Sequence, residues 1–429
     1  VFFSPIRTAL FGLLVWIVIW LLMPVYQVGR LELGALVYIA LCYLFMFAGA
    51  AFVGRREPTE LRSVETLWNR PLHRGLFWGT VALGLIGMAL RLVDRLLIRG
   101  VEYGADALEL REALSTSSSS VAGIVAAVLM PLCLVPLILL LASERPRSRI
   151  LLAIAAVVFV LPMSESFFQL SRSFMLLTIG IAFATVSLTQ LGGRLLNRKL
   201  IVVSLLGALA LAVVSTLIFS ARIEAGYRQL SDSVFDSAYA EFLQPNEFAW
   251  ETIASGSELE SFAMLSVLPN GLYYLTGAYE FSALWDRPDD QQFAYGQLLF
   301  YPFVRVAYRL VGVDFLNSFD IETYVYRDGV YQTFFGPLWA DFGWFGLFVM
   351  AAFGALVQNL SQRVRRGSLA VMPLYIYMII VVYFMPVVNF LTNGFGMLSV
   401  TAFTLFAIYA ARIERAARES EEVRVEALA

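Results

Sequence analysis

Residues 33–53 read LGALVYIALCYLFMFAGAAFV, an apolar run without a single charge. A helix of about 20 such residues crosses the hydrocarbon core of a bilayer, so the reading of this stretch decides the fold class. Working outward from it, comparable segments lie at roughly 7–24, 75–97, 119–142, 149–164, 173–190, 200–220, 337–360, 370–388 and 397–411. The expected fold is therefore an all-α polytopic membrane protein with about ten transmembrane helices. Composition agrees. The 429 residues are 59% hydrophobic and only 15% charged, where soluble domains carry about a quarter, and mean hydropathy is +0.73. The first apolar run lacks a small-residue cleavage site and reads as an anchor rather than a cleaved leader.

The connections sort by charge. With the N-terminus inside, most basic residues collect on the cytoplasmic side, including Arg7, Arg55, Arg56, Arg145, Arg194, Arg363 and Arg412, as the positive-inside rule requires. One connection stands apart: residues 221–336 separate the seventh and eighth spans, whereas all other connections are short. A structureless loop of that length is uncommon in a compact protein, so it is expected to fold and to carry function. The chain thus divides into spans one to seven (1–220), an extracytoplasmic helical loop domain (221–336), and spans eight to ten with a cytoplasmic tail (337–429). Within the loop, "DSVFDSAYAEFLQ", "LESFAMLSVL" and "GQLLFYPFVRVAYRLVG" read as helices lying along the outer membrane–water boundary. "WDRPDDQQ" reads as a solvated turn and "STSSSS" at 115–120 as a polar linker.

Arginines on the outer side work against the orientation signal and call for a reason. Arg91, Asp94 and Arg95 share one face of the third span, with Arg99 a turn further out. Arg172 stands at the mouth between spans five and six, and Arg222 and Arg228 follow span seven. Arg305, Arg309 and Arg327 come from the long loop, the first two spaced four apart on one helix face. A planar guanidinium donates paired hydrogen bonds to phosphate oxygens and keeps its charge. Several converging on one cavity would bind a pyrophosphate and stabilise its charge as it leaves. The competing reading pairs each arginine with a nearby carboxylate or a lipid headgroup.

The loop also carries Asp232, Asp236, Glu241, Glu247, Glu251, Glu258 and Glu260, any of which could act as a general base beside a nucleophile or face solvent. Asp341 enters the eighth span among glycines, where close packing competes with a binding role. His73 is the lone histidine and falls in a cytoplasmic loop, which excludes histidine metal sites and triads. No GxxxxGK[ST] phosphate loop occurs. No metal and no cofactor are called for, and a net charge of −2 gives no sign of nucleic acid. Cys42 and Cys133 lie in apolar runs and suggest no disulfide framework.

Four stretches carry a resemblance: "VDRLLIRGVEYGADALELR" at 93–111, "SRSFMLLTIG" at 171–180, "SARIEAGYRQLSDSVFDSAYAEF" at 220–242 and "YQTFFGPLWADFGWFGLFVMAAFGALVQNL" at 331–360. Together they resemble the Wzy-type oligosaccharide repeat unit polymerases, which make O-antigen and exopolysaccharide in bacterial inner membranes. The resemblance implies a GT-C-like, metal-independent glycosyltransferase acting on undecaprenyl-pyrophosphate-linked oligosaccharide at the periplasmic or exterior face. It implies that Arg172, Arg222 and Arg228 hold the donor pyrophosphate. Glu241 would be the first choice of base, with Arg222 and Asp236 beside it as catalytic residues. It also implies bilayer lipids, a chain-length regulator and a flippase as partners. One departure is plain: the Arg followed eleven residues later by Gly, seen in some members, is not found after Arg222, Arg228 or Arg305. Two other readings stand beside it. One is an O-antigen ligase or peptidoglycan polymerase, although the ligase uses an outer-face histidine. The other is a transporter of a lipid-linked or anionic substrate, for which inverted repeats and broken helices would be the sign.

Overall fold

The computed structural model describes residues 4–54, 71–100, 120–142, 148–164, 172–190, 241–286, 293–312, 321–327, 330–392 and 396–426. Among these, six helices are long and apolar enough to cross a membrane: Pro5–Leu22, Leu33–Gly54, Arg74–Ile98, Val121–Ala142, Phe335–Arg365 and Gly396–Arg415. Three apolar helices, Arg149–Met163, Met175–Thr189 and Met372–Phe384, are shorter. The all-α, multi-pass character follows from these helices. The expected span at 200–220 lies outside the described residues, as do Arg222, Arg228 and Asp236.

Helix α1 (Pro5–Leu22) starts on a capping serine, Ser4, whose hydroxyl accepts the Arg7 N–H, with proline in the first turn; proline fits there because its missing N–H would be unused. A short strand, β1 (Val25–Gln27), leads to α2 (Leu33–Gly54). Helix α3 (Pro71–Val93) winds into a π-helical turn at Asp94–Ile98. It packs against α4 (Val121–Leu129) and α5 (Val135–Ala142), which are joined by a 3₁₀ segment, Met130–Leu134, that opens at Pro131. Close approach at Gly84 to Cys133, Gly87 to Met130 and Gly123 to Asp94 shows the antiparallel pairing. Helices α6 (Arg149–Val160) and α7 (Arg172–Gln190) complete the first half.

The second half holds strand β2 (Leu243–Pro245) and helices α8 (Glu247–Ser255), α9 (Glu258–Trp285), α10 (Tyr301–Val311), α11 (Phe335–Phe342), α12 (Gly346–Arg365), α13 (Met372–Phe384) and α14 (Gly396–Glu426). Helices α2 and α12 run parallel: Tyr38 meets Gly346, Met46 meets Gly354, and Gly54 meets Gln358. Their backbones touch at two small residues. A Cβ on Gly49 would sit 1.9 Å from the Ala351 carbonyl oxygen, and one on Gly354 would sit 2.0 Å from that of Met46. Small residues let helices meet this closely where apolar tails offer no hydrophobic driving force. The start of α1, with Arg7, and the end of α12, with Arg363 and Arg365, share the basic end of the bundle. The opposite end, bearing β1 and β2, is called the insertion end below.

Three elements differ from the pattern of straight spans. The stretch 337–360, read as one span, is two helices hinged at Gly343, whose φ of 51° and ψ of −133° suit only glycine. The Phe335 ring lies 5.4 Å from Tyr43, whereas Trp339 lies 5.0 Å from Tyr38. Helix α11 therefore climbs toward the insertion end and α12 returns from the turn. Helix α13, read as part of a span at 370–388, stops at Phe384 within the bundle, where Gly12 in the middle of α1 abuts the Tyr383 carbonyl. Its 13 residues span ~20 Å, short of the ~30 Å core. The chain turns back there, and the Tyr377 hydroxyl lies within donating distance of the carbonyls of Phe390 (2.9 Å) and Gly396 (3.2 Å), which share its one hydrogen. At the basic end Glu414 of α14 accepts the Ala370 N–H at 3.1 Å, so α13 and α14 form a hairpin.

The third difference is α9. The segment "LESFAMLSVL" is helical as expected, but the helix extends to Trp285 and is buried along most of its second half. It opens on a capping box between Ser257 and Glu260. It then crosses α1, with Trp16 Nε1 donating to the Tyr274 carbonyl (3.1 Å) and Trp20 Nε1 to the Tyr279 hydroxyl (3.2 Å). Its end reaches α2, where Ser282 Oγ accepts the Glu32 N–H at 3.1 Å. The segment "LESFAMLSVL" keeps Leu259, Phe262 and Val267 exposed, whereas the second half of the helix is covered by protein at the insertion end.

The glycine contact sets a test. Gly49→Val or Gly354→Val must push α2 from α12, and such overpacking costs about 1–3 kcal/mol. Thermal unfolding in detergent should show both variants losing several degrees, while Gly79→Val, at a site with nothing within 4 Å of the added Cβ, should not.

Candidate functional site

The segment 241–245 is fixed before any side chain is considered. Strand β2 pairs antiparallel with β1, Val25 opposite Pro245 and Gln27 opposite Leu243. The Phe242 carbonyl accepts the N–H groups of Val28 (2.9 Å) and Gly29 (3.1 Å), and Gly29 leaves room for the Phe242 ring, 2.5 Å from where a Cβ would lie. The stretch "EFLQ", expected as the tail of a helix, is therefore a turn and a strand. Glu241 is held at the insertion end by backbone bonds on its neighbours.

Arg327 reaches between two carboxylates. Its Nε donates to Glu280 Oε2 at 3.3 Å and its Nη2 to Glu280 Oε1, while Nη1 donates to Glu241 Oε2. The Tyr326 hydroxyl donates to Glu241 Oε1 at 3.3 Å. The two acids differ in setting: the Glu241 side chain is 46% exposed, whereas that of Glu280 is wholly buried in α9. Burial pushes the Glu280 carboxyl above its ordinary range even though the Arg327 hydrogen bonds pull it down. Aromatic rings frame the group. The guanidinium lies 5.3 Å from the Phe242 ring centre and 5.7 Å from that of Tyr326, within reach of the attraction between a cation and a ring face. Phe242 in turn stacks on Tyr279 at 6.2 Å.

This arrangement suits a sugar. Ring faces offer apolar platforms, and an ionised carboxylate still has lone pairs for a hydroxyl after taking one arginine bond and one tyrosine bond. Glu241 and Arg327 were both candidates from sequence, and the fold brings them together. Glu280 was not. Its signal is a solitary acid within "LTGAYEFSALW" (275–285), since a carboxylate sunk in an apolar run needs a counter-charge.

The arginines of α3 form a separate cluster. Asp94 is fully buried and Arg95 nearly so. The Asp94 carboxylate lies 3.1 Å from Arg99 Nε and 3.9 Å from Arg91, and accepts from the Ser120 hydroxyl. Ser120 also caps α4 by accepting the Gly123 N–H at 3.0 Å. The end of the "STSSSS" linker thus ties α4 to α3, and Arg91 and Arg99 both spend charge on one carboxylate. Asp341 is buried too, and its oxygens accept the N–H groups of Leu298 (3.0 Å) and Leu299 (2.8 Å). That explains Asp341 as the staple of the turn before α10. Arg305 sits half-buried on α10. Arg172 opens α7 and Arg309 falls within α10, but their side chains lie outside the described set.

Compared with known proteins, the chain matches no family model, no curated protein and no solved structure.

Removing Arg327 leaves Glu280 buried without its counter-charge, a loss of about 3–5 kcal/mol for such pairs. Arg327→Met should therefore unfold at markedly lower temperature. The double variant Arg327→Met/Glu280→Leu should regain much of that loss, because the stranded charge is gone. Equal instability of both variants in thermal unfolding would show that the pair does not hold the loop.

Proposed function

We propose that the chain is a membrane glycosyltransferase that polymerises lipid-linked oligosaccharide repeat units. The observation that carries this reading is Glu241: a water-accessible carboxylate aimed by Arg327 and Tyr326, set among aromatic rings, with Arg327 anchored from beneath by a buried Glu280. In the proposed reaction the acceptor hydroxyl of a new repeat unit attacks the anomeric carbon of the growing chain. The bond from that carbon to the pyrophosphate oxygen breaks, and its electron pair leaves with undecaprenyl pyrophosphate. The hydroxyl proton passes to Glu241. Arg172, Arg222 and Arg228 are proposed to hold the pyrophosphate, whose growing charge guanidinium groups would stabilise. Asp236 remains a second carboxylate for the proton. The site is proposed to face the exterior of a bacterial inner membrane, with chain-length regulator and flippase as partners.

A second reading, a carrier of lipid-linked substrate, draws on one specific observation. Helices break within the bundle at 331–334 and 385–392, as they do around the binding sites of many transporters. The readings part on covalent chemistry.

Purified protein incubated with an undecaprenyl-pyrophosphate-linked repeat unit should give a ladder on a gel. Glu241→Gln should slow ladder growth by about 10²–10⁴-fold, the usual worth of a general base, with little loss of thermal stability, since Arg327 keeps Glu280. Unchanged rates in Glu241→Gln would remove Glu241 from the chemistry. Transbilayer movement of the substrate without any ladder would favour the carrier.

A further inference from the structure

Non-helical backbone inside a membrane bundle is tolerated where protein or a polar cavity satisfies it. Segments 331–334 and 385–389 satisfy each other: Thr333 bridges Val388, the Phe334 N–H donates to the Met385 carbonyl at 2.9 Å, and Asn389 Nδ2 donates to the Phe334 carbonyl at 3.5 Å. Thr333 and Asn389 are also used locally, accepting the N–H groups of Phe335 (3.1 Å) and Leu391 (2.9 Å). Gln332 is the exception. The residue is 4% exposed, and among the described residues neither its Oε1 nor its Nε2 has a hydrogen-bond partner. Gly336, one turn on, leaves the space it occupies: a Cβ there would sit 2.6 Å from Gln332 Cβ and 3.1 Å from Oε1. Two more buried groups along α11 have no hydrogen-bond partner among the described residues, the Tyr43 hydroxyl, whose ring packs on Phe335, and Trp339 Nε1. Thr333 itself holds a φ of 61°, a strained conformation for a β-branched residue that tends to mark functional segments.

The backbone on either side of Gln332 lies against the face of α9 that carries Glu280. Tyr273, Gly277 and Glu280 fall on one face of α9 at i, i+4 and i+7. Tyr273 packs on Tyr331 at 5.2 Å, and Gly277 approaches Thr333 N and the Tyr331 carbonyl. Glu280 holds Arg327 on the same face, about one helical turn, ~4.5 Å of axis, from Gly277. Around 331–334 the side chains Tyr273, Tyr331, Thr333 and Asn389 are neutral, so the chemistry there suits an uncharged ligand. A primary amide presents a donor and an acceptor side by side, which two adjacent hydroxyls of a sugar ring match, one donating to Oε1 and one accepting from Nε2.

We infer that Gln332 is the recognition group of a subsite for a neutral sugar ring, taken by two adjacent hydroxyls, beside the Glu241–Arg327–Glu280 cluster. The inference rests on the glycan reading of that cluster and names the part of the substrate held there. It makes Gln332 a positioning and specificity-determining residue; the proton transfer stays with Glu241.

The test uses the full chain in detergent, titrated with glucose, galactose and mannose, with thermal unfolding as the readout. At ~10-fold excess over the dissociation constant, at least one hexose should raise the melting temperature of the wild type by roughly 1–2 °C. Gln332→Met, close in shape but unable to bond, should be at least as heat-stable as wild type without sugar and should lose that rise. No rise in the wild type with any of the three, or an equal rise in Gln332→Met, overturns the subsite and leaves the amide satisfied by water alone. Should Gln332→Met not fold, Gln332→Asn, which withdraws the amide by one methylene, must weaken the rise at least several-fold in dose. The two proposals fail separately. Ladders from the wild type with hexose indifference remove the subsite and keep the polymerase; hexose binding through Gln332 without ladders keeps the subsite and removes the polymerase.

Discussion

The buried charge on Glu280 is the constraint around which the insertion end is built. A carboxylate with no exposed surface in the apolar last turns of α9 is untenable without a cation, and Arg327 is the one it finds. Meeting that need brings Arg327 onto the face of α9 that also meets Tyr331 and Thr333, and sets Phe242 and Tyr326 against the guanidinium. It also leaves Arg327 with a donor free for Glu241, so the exposed acid is oriented by a group whose own position is fixed from below. A flexible surface pair would give no such aim, since exposed ion pairs contribute little.

Backbone accounting follows from the same geometry. Once 330–334 lies against Gly277, it forms no helix, and its carbonyls and N–H groups need partners inside the bundle. The unwound end of α13 supplies them through Met385, Val388 and Asn389. The break before α11 and the early stop of α13 are thus two sides of one solution. Asp341 serves it as well, bonding the turn at 298–299 to α11. Strand pairing between β1 and β2 closes the assembly from the other side, fixing Glu241 to the connection between α1 and α2.

Much of this was legible in the sequence, unevenly. The run at 33–53 corresponds to a helix at Leu33–Gly54, because an uncharged apolar stretch of that length has few alternatives. The runs at 337–360 and 370–388 were legible as apolar but not as bent: hydropathy records which residues avoid water, not where the chain reverses. Glycine at 343 and asparagine at 389 were the available signs. At the site, Glu241 and Arg327 stood out as charges, but their pairing joins residues 86 apart, which no local spacing encodes. Glu280 and Gln332 were passed over because each is a single polar residue in a predominantly apolar, aromatic stretch, where its partner rather than its neighbours gives it meaning. For Arg91, Asp94 and Arg99 the helix spacing did show a shared face, and the fold adds Ser120 as the reason the acid is there.

The most direct measurement is an electron cryomicroscopy map of the full chain in a lipid nanodisc with an undecaprenyl-pyrophosphate-linked repeat unit bound. Saccharide density should run along the α9 face from Glu241 toward Gln332, with the diphosphate turned to Arg172, Arg222 and Arg228. Glycan density at the basic end of the bundle, or an α9 face closed by side chains with the sugar elsewhere, would contradict the account.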